Sequence, residues 1–132
     1  MKEPRWLDRR AITSFHLQSL AEHGGSLGIR DAGLLDSALA RPRNQFAYAT
    51  DIDIAKLAAA YGFALAKNHA FIDGNKRVGA NAAITFLLMN DWEPLFDEAE
   101  LVDLVLSVAS GVMAKSEVIQ MFEKRCRRIS GS

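Results

Sequence analysis

Residues 54–68 read IAKLAAAYGFALAKN, residues 69–74 HAFIDG and residues 75–89 NKRVGANAAITFLLM, and the reading of these three consecutive pieces decides the fold. The first follows Asp51 and Asp53, side chains suited to opening a helix. It is rich in alanine, the best helix former, whose small side chain also lets helices approach closely. In the third, Val78, Ala82, Ile84, Thr85, Leu88 and Met89 surround a helix that is apolar on nearly every side, and such a helix is buried. Between them Asp73-Gly74 is a turn signal. Two buried helices joined by a short polar loop imply a helical bundle with the third piece at its centre.

Working outward, Leu7 to His23 is helical, with Leu7, Ala11, Phe15 and Leu20 near one face and Gly24-Gly25 as its stop. A second, shorter helix starts at the N-cap Asp31, buries Leu34, Leu35, Ala38 and Leu39, and is expected to end at Arg41-Pro42. Beyond the central helix, Asn90 to Pro94 breaks the chain. Asp97 caps a helix to Ser110, Gly111 stops it, and Ser116 with Glu117 opens a last helix to about Arg128. Leu95-Phe96 is too brief an alternation to count as a strand. The expectation is an all-α bundle of about six helices around a central helix, with residues 1–132 as a single domain. No repeat, linker or low-complexity tract divides it.

Composition narrows the class. The chain has 132 residues, 49% hydrophobic and 24% charged, as a soluble globular domain has. Sixteen Lys plus Arg balance sixteen Asp plus Glu, so the broad positive field of a nucleic-acid binder is missing, and direct nucleic-acid binding is not expected. The single cysteine, Cys126, cannot form an internal disulfide. The opening Met-Lys-Glu-Pro-Arg-Trp lacks the apolar core of a secretion signal, and the longest apolar stretches fall short of the ~20 residues of a bilayer span. A cytoplasmic protein without membrane contact is expected.

Out-of-place polarity concentrates between Asn68 and Arg77, wedged between the two most apolar helices. A helix amino terminus is an anion site, and Gly74 lets a phosphate approach the backbone there. Lys76 and Arg77 add positive charge. Asp73 is the hard oxygen ligand that Mg²⁺ uses alongside phosphate oxygens. Histidine exchanges a proton near neutral pH, so His69 can take one from an attacking hydroxyl. Base, metal ligand and phosphate cradle together are the parts of phosphoryl transfer. Taken singly, each has a plainer role: Phe71 in the core, Asp73-Gly74 as turn and cap, Lys76 and Arg77 as solvated surface. The combination within nine residues favours a site.

His69-Ala-Phe71-Ile-Asp73-Gly74-Asn75-Lys76-Arg77 resembles the Fic/Doc signature: histidine, phenylalanine two residues on, then acid, Gly or Ala, Asn, Lys or Gly, and Arg. The segment from Gly24 to Pro42 looks like the Doc (death on curing) branch, so the similarity covers nearly the whole chain. The resemblance implies a bundle around the motif helix, with His69 as general base and Asp73 as Mg²⁺ ligand. It also implies that Gly74, Asn75, Lys76, Arg77 and Asn81 hold the nucleotide. Members that transfer AMP usually carry glycine at the position of Lys76 and a second arginine at that of Ala80. The lysine is associated with a reversed ATP presenting its γ-phosphate. The implied activity is that of a toxin kinase modifying a Thr or Ser of elongation factor Tu and stopping translation. A Phd-type antitoxin would restrain it, since no glutamate is followed by Gly or Asn as in self-inhibited members. AMP transfer stays open, because Asp-Gly-Asn-Lys-Arg is intermediate between the branches. So does a weakly catalytic module that binds an antitoxin as corepressor.

Other features carry less. His16 and His23 lack further ligands at metal spacing. Lys124, Arg125, Arg127 and Arg128 read as a solvated helix end. Arg30 and Asp31 suit either target binding or an N-cap with a solvent-facing neighbour. Trp6 and Trp92 read as packing anchors, and Gly24 to Gly28 as a terminator and turn.

Overall fold

Two glycines face each other where the two most apolar helices cross. A Cβ on Gly79 would lie 2.6 Å from the Gly62 carbonyl oxygen, and one on Gly62 would lie 3.6 Å from the Gly79 carbonyl oxygen. The backbones of these helices therefore touch, which only small side chains allow. The computed structural model describes residues 2–129. Its elements are α1 (Arg9–His23), α2 (Ala32–Tyr48), α3 (Ile54–Asn68), α4 (Asn75–Met89), β1 (Trp92–Pro94), α5 (Glu98–Ala109), α6 (Lys115–Lys124) and β2 (Cys126–Arg128). The fold is all-α apart from this two-stranded ribbon. Helix α4 packs on α1, α3, α5 and β1, while α3 packs on α2, α4 and α6. Helices α3 and α4 begin and end where the sequence places them.

Each amino end has a chemical cause. Asp8, Asp31, Asp53 and Asp97 accept from the backbone N–H of Ala11, Leu34, Lys56 and Glu100, satisfying an otherwise orphaned donor in α1, α2, α3 and α5. Helices α4 and α6 lack such a cap: in α6 the N-cap is Ala114, whose N–H bonds the Glu117 side chain, and in α4 it is Gly74, at φ 80° and ψ 14°.

Several expectations are corrected. Helix α2 does not stop at Arg41-Pro42 but runs to Tyr48, with Pro42 buried inside it. Proline forfeits one helical hydrogen bond, and packing offsets the loss. In the turns beyond it, Phe46 meets Trp6 edge-on at 5.7 Å between ring centroids, and Trp6 stacks on Phe86 at 5.9 Å. Trp6 is thus the packing anchor the sequence suggests.

The last helix ends at Lys124, not near Arg128. Residues 126–128 form β2, antiparallel to β1 with Trp92 opposite Arg128 and Pro94 opposite Cys126. The basic cluster is consequently no solvated helix end. Arg125 bonds Glu100 and the Leu95 carbonyl, and Arg127 bonds Glu93. Extended backbone occupies Trp92–Pro94 rather than Leu95-Phe96.

The fully buried residues of α1 are Ile12, His16 and Ser19; of the expected stripe, Leu7 is buried ahead of the helix and Ala11 and Phe15 pack half-buried against the core. Leu7 precedes the helix and gives its N–H to Tyr61 Oη at 3.1 Å. Among the described residues, no helix is long and apolar enough to cross a membrane.

Candidate active site at the amino end of helix α4

The uncapped first turn of α4 is the centre of the site. Among the described residues, no protein group accepts a hydrogen bond from the backbone N–H of Asn75, Lys76 or Arg77, the first partner appearing at Val78, which bonds the Gly74 carbonyl at 3.0 Å. Three parallel donors and the positive end of a 15-residue helix converge there, and an anion satisfies both.

The chain reaches this turn through His69, whose φ of 51° and ψ of 47° put a non-glycine residue in the left-handed region. Such a residue ends α3 and reverses the chain. Arg30 holds it there, donating from Nε to the His69 carbonyl at 2.7 Å and from Nη2 to the Asn68 carbonyl at 3.3 Å. A guanidinium at a helix carboxyl end answers both the free carbonyls and the dipole. The neighbouring amides of Arg30 and Asp31 both bond the Ala70 carbonyl, and Ile72 N–H bonds the Gly28 carbonyl. Residues 28–31 thus form a strap behind the loop. Asp31 caps α2, and Arg30 serves the loop rather than pointing idly to solvent.

Within the loop, Phe71 is in the core as expected. Asn75, 7% exposed, accepts from the Phe71 N–H and donates to the Phe71 carbonyl, both at 3.0 Å. Its amide side chain is spent on the loop, so only its backbone N–H is left for an anion. Asp73 is exposed; its Oδ1 accepts from the Gly74 N–H at 2.8 Å. Its Oδ2 lies against Gly25, where a Cβ would sit only 2.8 Å away. The Gly24-Gly25 turn therefore does more than stop α1: it makes room for this carboxylate.

Lys76 and Arg77 diverge to opposite flanks of α4. Lys76, His69, Lys67 and Lys115 rim a cavity of about 480 Å³ whose floor includes Phe63, Val105 and Val108. The Lys115 ammonium lies 5.2 Å above the Phe63 ring. Its pKa is lowered, first by burial and then by the charges of Arg41 and Lys67. Arg77 lines a second cavity of about 450 Å³, with His23 and the acidic side chains of Asp97, Glu98 and Asp103. Asn81, one turn beyond Arg77, is half-buried, and its amide makes no hydrogen bond among the described residues.

The loop thus brings His69 and Lys76 to one cavity and sets Asp73 beside Gly74 at the turn that opens α4, while the Arg77 side chain lines another cavity. Asp73 fits a magnesium ligand, a single exposed carboxylate beside a phosphate cradle. Among the described residues, no three His, Cys, Asp or Glu side chains converge on a metal, so a cation at Asp73 would draw its remaining ligands from phosphate and water, as Mg²⁺ does. Reading the sequence missed His16, Arg30, Gly25, Lys67 and Lys115. For His16, the i, i+4, i+7 spacing of Ile12, His16 and Ser19 marks a buried face but does not point to the loop.

Comparison with known proteins gives the chain's relatives. Over 128 residues the chain is 31% identical to "Protein kinase doc" of Escherichia phage P1, covering 97% of this chain and 98% of that one. Over 91 residues it is 44% identical to "Toxin Doc" of Mycolicibacterium smegmatis, covering 66% of this chain and 69% of that one. The sequence profile of the Fic/DOC family matches residues 6–87, from the loop ahead of α1 through nearly all of α4, and the chain belongs to that family.

Proposed function

We propose that this protein is a Doc-type toxin kinase that transfers the γ-phosphate of ATP to a Ser or Thr hydroxyl of a translation factor, elongation factor Tu, and so arrests protein synthesis in the cytoplasm. The observation that carries the reading is the turn of unbonded amides at Asn75, Lys76 and Arg77, flanked by Asp73 on one side and by His69 with Lys76 on the other. The names of the phage P1 and mycobacterial relatives support the kinase and toxin parts of it.

In this reading the amides of Asn75 to Arg77 and the Lys76 ammonium hold the nucleotide phosphates. Asp73 would hold Mg²⁺, which neutralises charge on the phosphate oxygens. Asn81 contributes from the next turn. The His69 imidazole takes the proton from the acceptor hydroxyl as its oxygen bonds the γ-phosphorus. The bond from γ-phosphorus to the β–γ bridging oxygen breaks, and ADP leaves with those electrons. Lys76, placed on the His69 side, supports a nucleotide whose γ-phosphate faces the base. A Phd-type antitoxin supplies the restraint.

The test is incubation of the protein and elongation factor Tu with ATP labelled at either the γ or the α position. Label from the γ position, with a gain of about 80 Da on a hydroxyl residue, is expected. Label from the α position alone contradicts the kinase reading and indicates AMP transfer. His69→Ala abolishing both transfer and toxicity is expected, and toxicity unchanged in that variant indicates a binding module.

A further inference from the structure

We propose that His16, on α1, is a positioning residue for the phosphate site, holding the Asp73 carbonyl so that the Arg77 amide stays free; this rests on the function proposed above. His16 is 2% exposed and does not itself reach a ligand. Its Nε2 lies 2.9 Å from the Asp73 carbonyl oxygen. Because that oxygen can only accept, the ring carries its proton on Nε2. The ring also stacks on Phe71, with centroids 4.0 Å apart and planes 19° from parallel. A Cβ at Gly74 would lie 3.7 Å from it. One imidazole thus touches the aromatic anchor Phe71 and the backbone of Asp73, and lies beside the N-cap Gly74.

The carbonyl that His16 holds has an alternative partner. In a helix the N–H of residue i bonds the carbonyl of residue i−4, so the natural partner of the Arg77 amide is the Asp73 carbonyl. In this structure the bond goes to His16 instead, and the Arg77 N–H has no protein partner among the described residues. By taking that carbonyl, and with Gly74 in the left-handed region, His16 keeps α4 from gaining a residue at its amino end and leaves the Arg77 amide beside those of Asn75 and Lys76. The Phe71 carbonyl, the i−4 partner of the Asn75 amide, is held by the Asn75 side chain. The same bond fixes the peptide between Asp73 and Gly74, and with it the direction of the Asp73 carboxylate. The ring therefore acts on the nucleotide through the backbone, without contact.

Two variants separate hydrogen bond from ring. His16→Phe keeps a flat ring against Phe71 and loses the donor; His16→Gln places an amide donor near the position of Nε2 and loses the ring. In His16→Phe, hydrogen exchange of the ligand-free protein is expected to slow at the Arg77 amide by at least about tenfold as it regains the Asp73 carbonyl. Calorimetry with Mg²⁺ and a non-hydrolysable ATP analogue is expected to give about tenfold weaker binding. His16→Gln is expected to recover most of the affinity. Unchanged exchange and affinity in His16→Phe overturn the proposal, and so does His16→Gln binding as weakly as His16→Phe. If the wild-type protein takes up no Mg-nucleotide while Arg77 exchange still responds to the variants, the proposed function fails and the positioning role stands.

Discussion

Gly24 and Gly25 sit side by side with positive φ of 76° and 121°, yet replacing them is expected to have different consequences. Alanine at Gly24 meets nothing within 4 Å, so it carries only the strain of the left-handed backbone, about 1–3 kcal/mol. Alanine at Gly25 carries that strain and also presses on Asp73 Oδ2 and on Leu20 Cδ2 at 3.0 Å. Both variants should melt several degrees early, but only Gly25→Ala should raise the Mg²⁺ concentration needed for half-maximal ATP binding, by several-fold. Equal Mg²⁺ dependence in the two would remove Gly25 from the site. Cys126 makes a second residue-level test. Burial, with a further contribution from Asp53, pushes its thiol up from 9.0 to about 11. The folded state thus prefers the neutral thiol, and the stability this adds is present below about pH 9 and lost as pH rises through about 11. Iodoacetamide at pH 8 should leave Cys126 unmodified in the native protein and label it at once in urea. At this scale, His69, Asp73 and Lys76 were legible because they interrupt an apolar run with chemistry. His16 was not, because a histidine between buried positions looks like ordinary core until its partner, a backbone carbonyl 57 residues away, is in view.

Among the elements, α3 and α4 were legible to their boundaries because alanine and apolar periodicity agree there with the turn signal between them. The crossing of Gly62 and Gly79 makes the consequence testable. Gly79→Ala drives a methyl group into a backbone oxygen that cannot swing aside. A loss of about 1–3 kcal/mol is expected, read as a melting temperature lower by about 5–10 °C; a loss under 0.5 kcal/mol would mean the helices separate easily, contrary to their packing. Helix α2 was read too short because proline is a local stop, whereas Pro42 is buried and the turns after it are held by Phe46 against Trp6. The β1–β2 ribbon escaped for a similar reason. Each strand has three residues, and pairing across 34 positions, as between Glu93 and Arg127, leaves no local periodicity.

At the scale of the whole molecule, a chain with no net charge still presents opposite fields on the two flanks of α4. Lys67, Lys76 and Lys115 line one cavity, while Asp97, Glu98 and Asp103 line the other beside Arg77. The composition argument against a broad nucleic-acid surface is compatible with this local separation, which total charge could not reveal. Four helices meet at the site: α3 delivers His69, α4 the amides, α1 the ring of His16, and α5 the wall opposite Lys76. The central claim is that phosphate binds at the opening turn of α4. Its most direct measurement is a titration of the ¹⁵N-labelled protein with Mg²⁺ and a non-hydrolysable ATP analogue, followed by backbone amide shifts. The account predicts the largest shifts at Gly74 to Val78 with a smaller one at His69; shifts centred elsewhere, or none at saturating nucleotide, would contradict it.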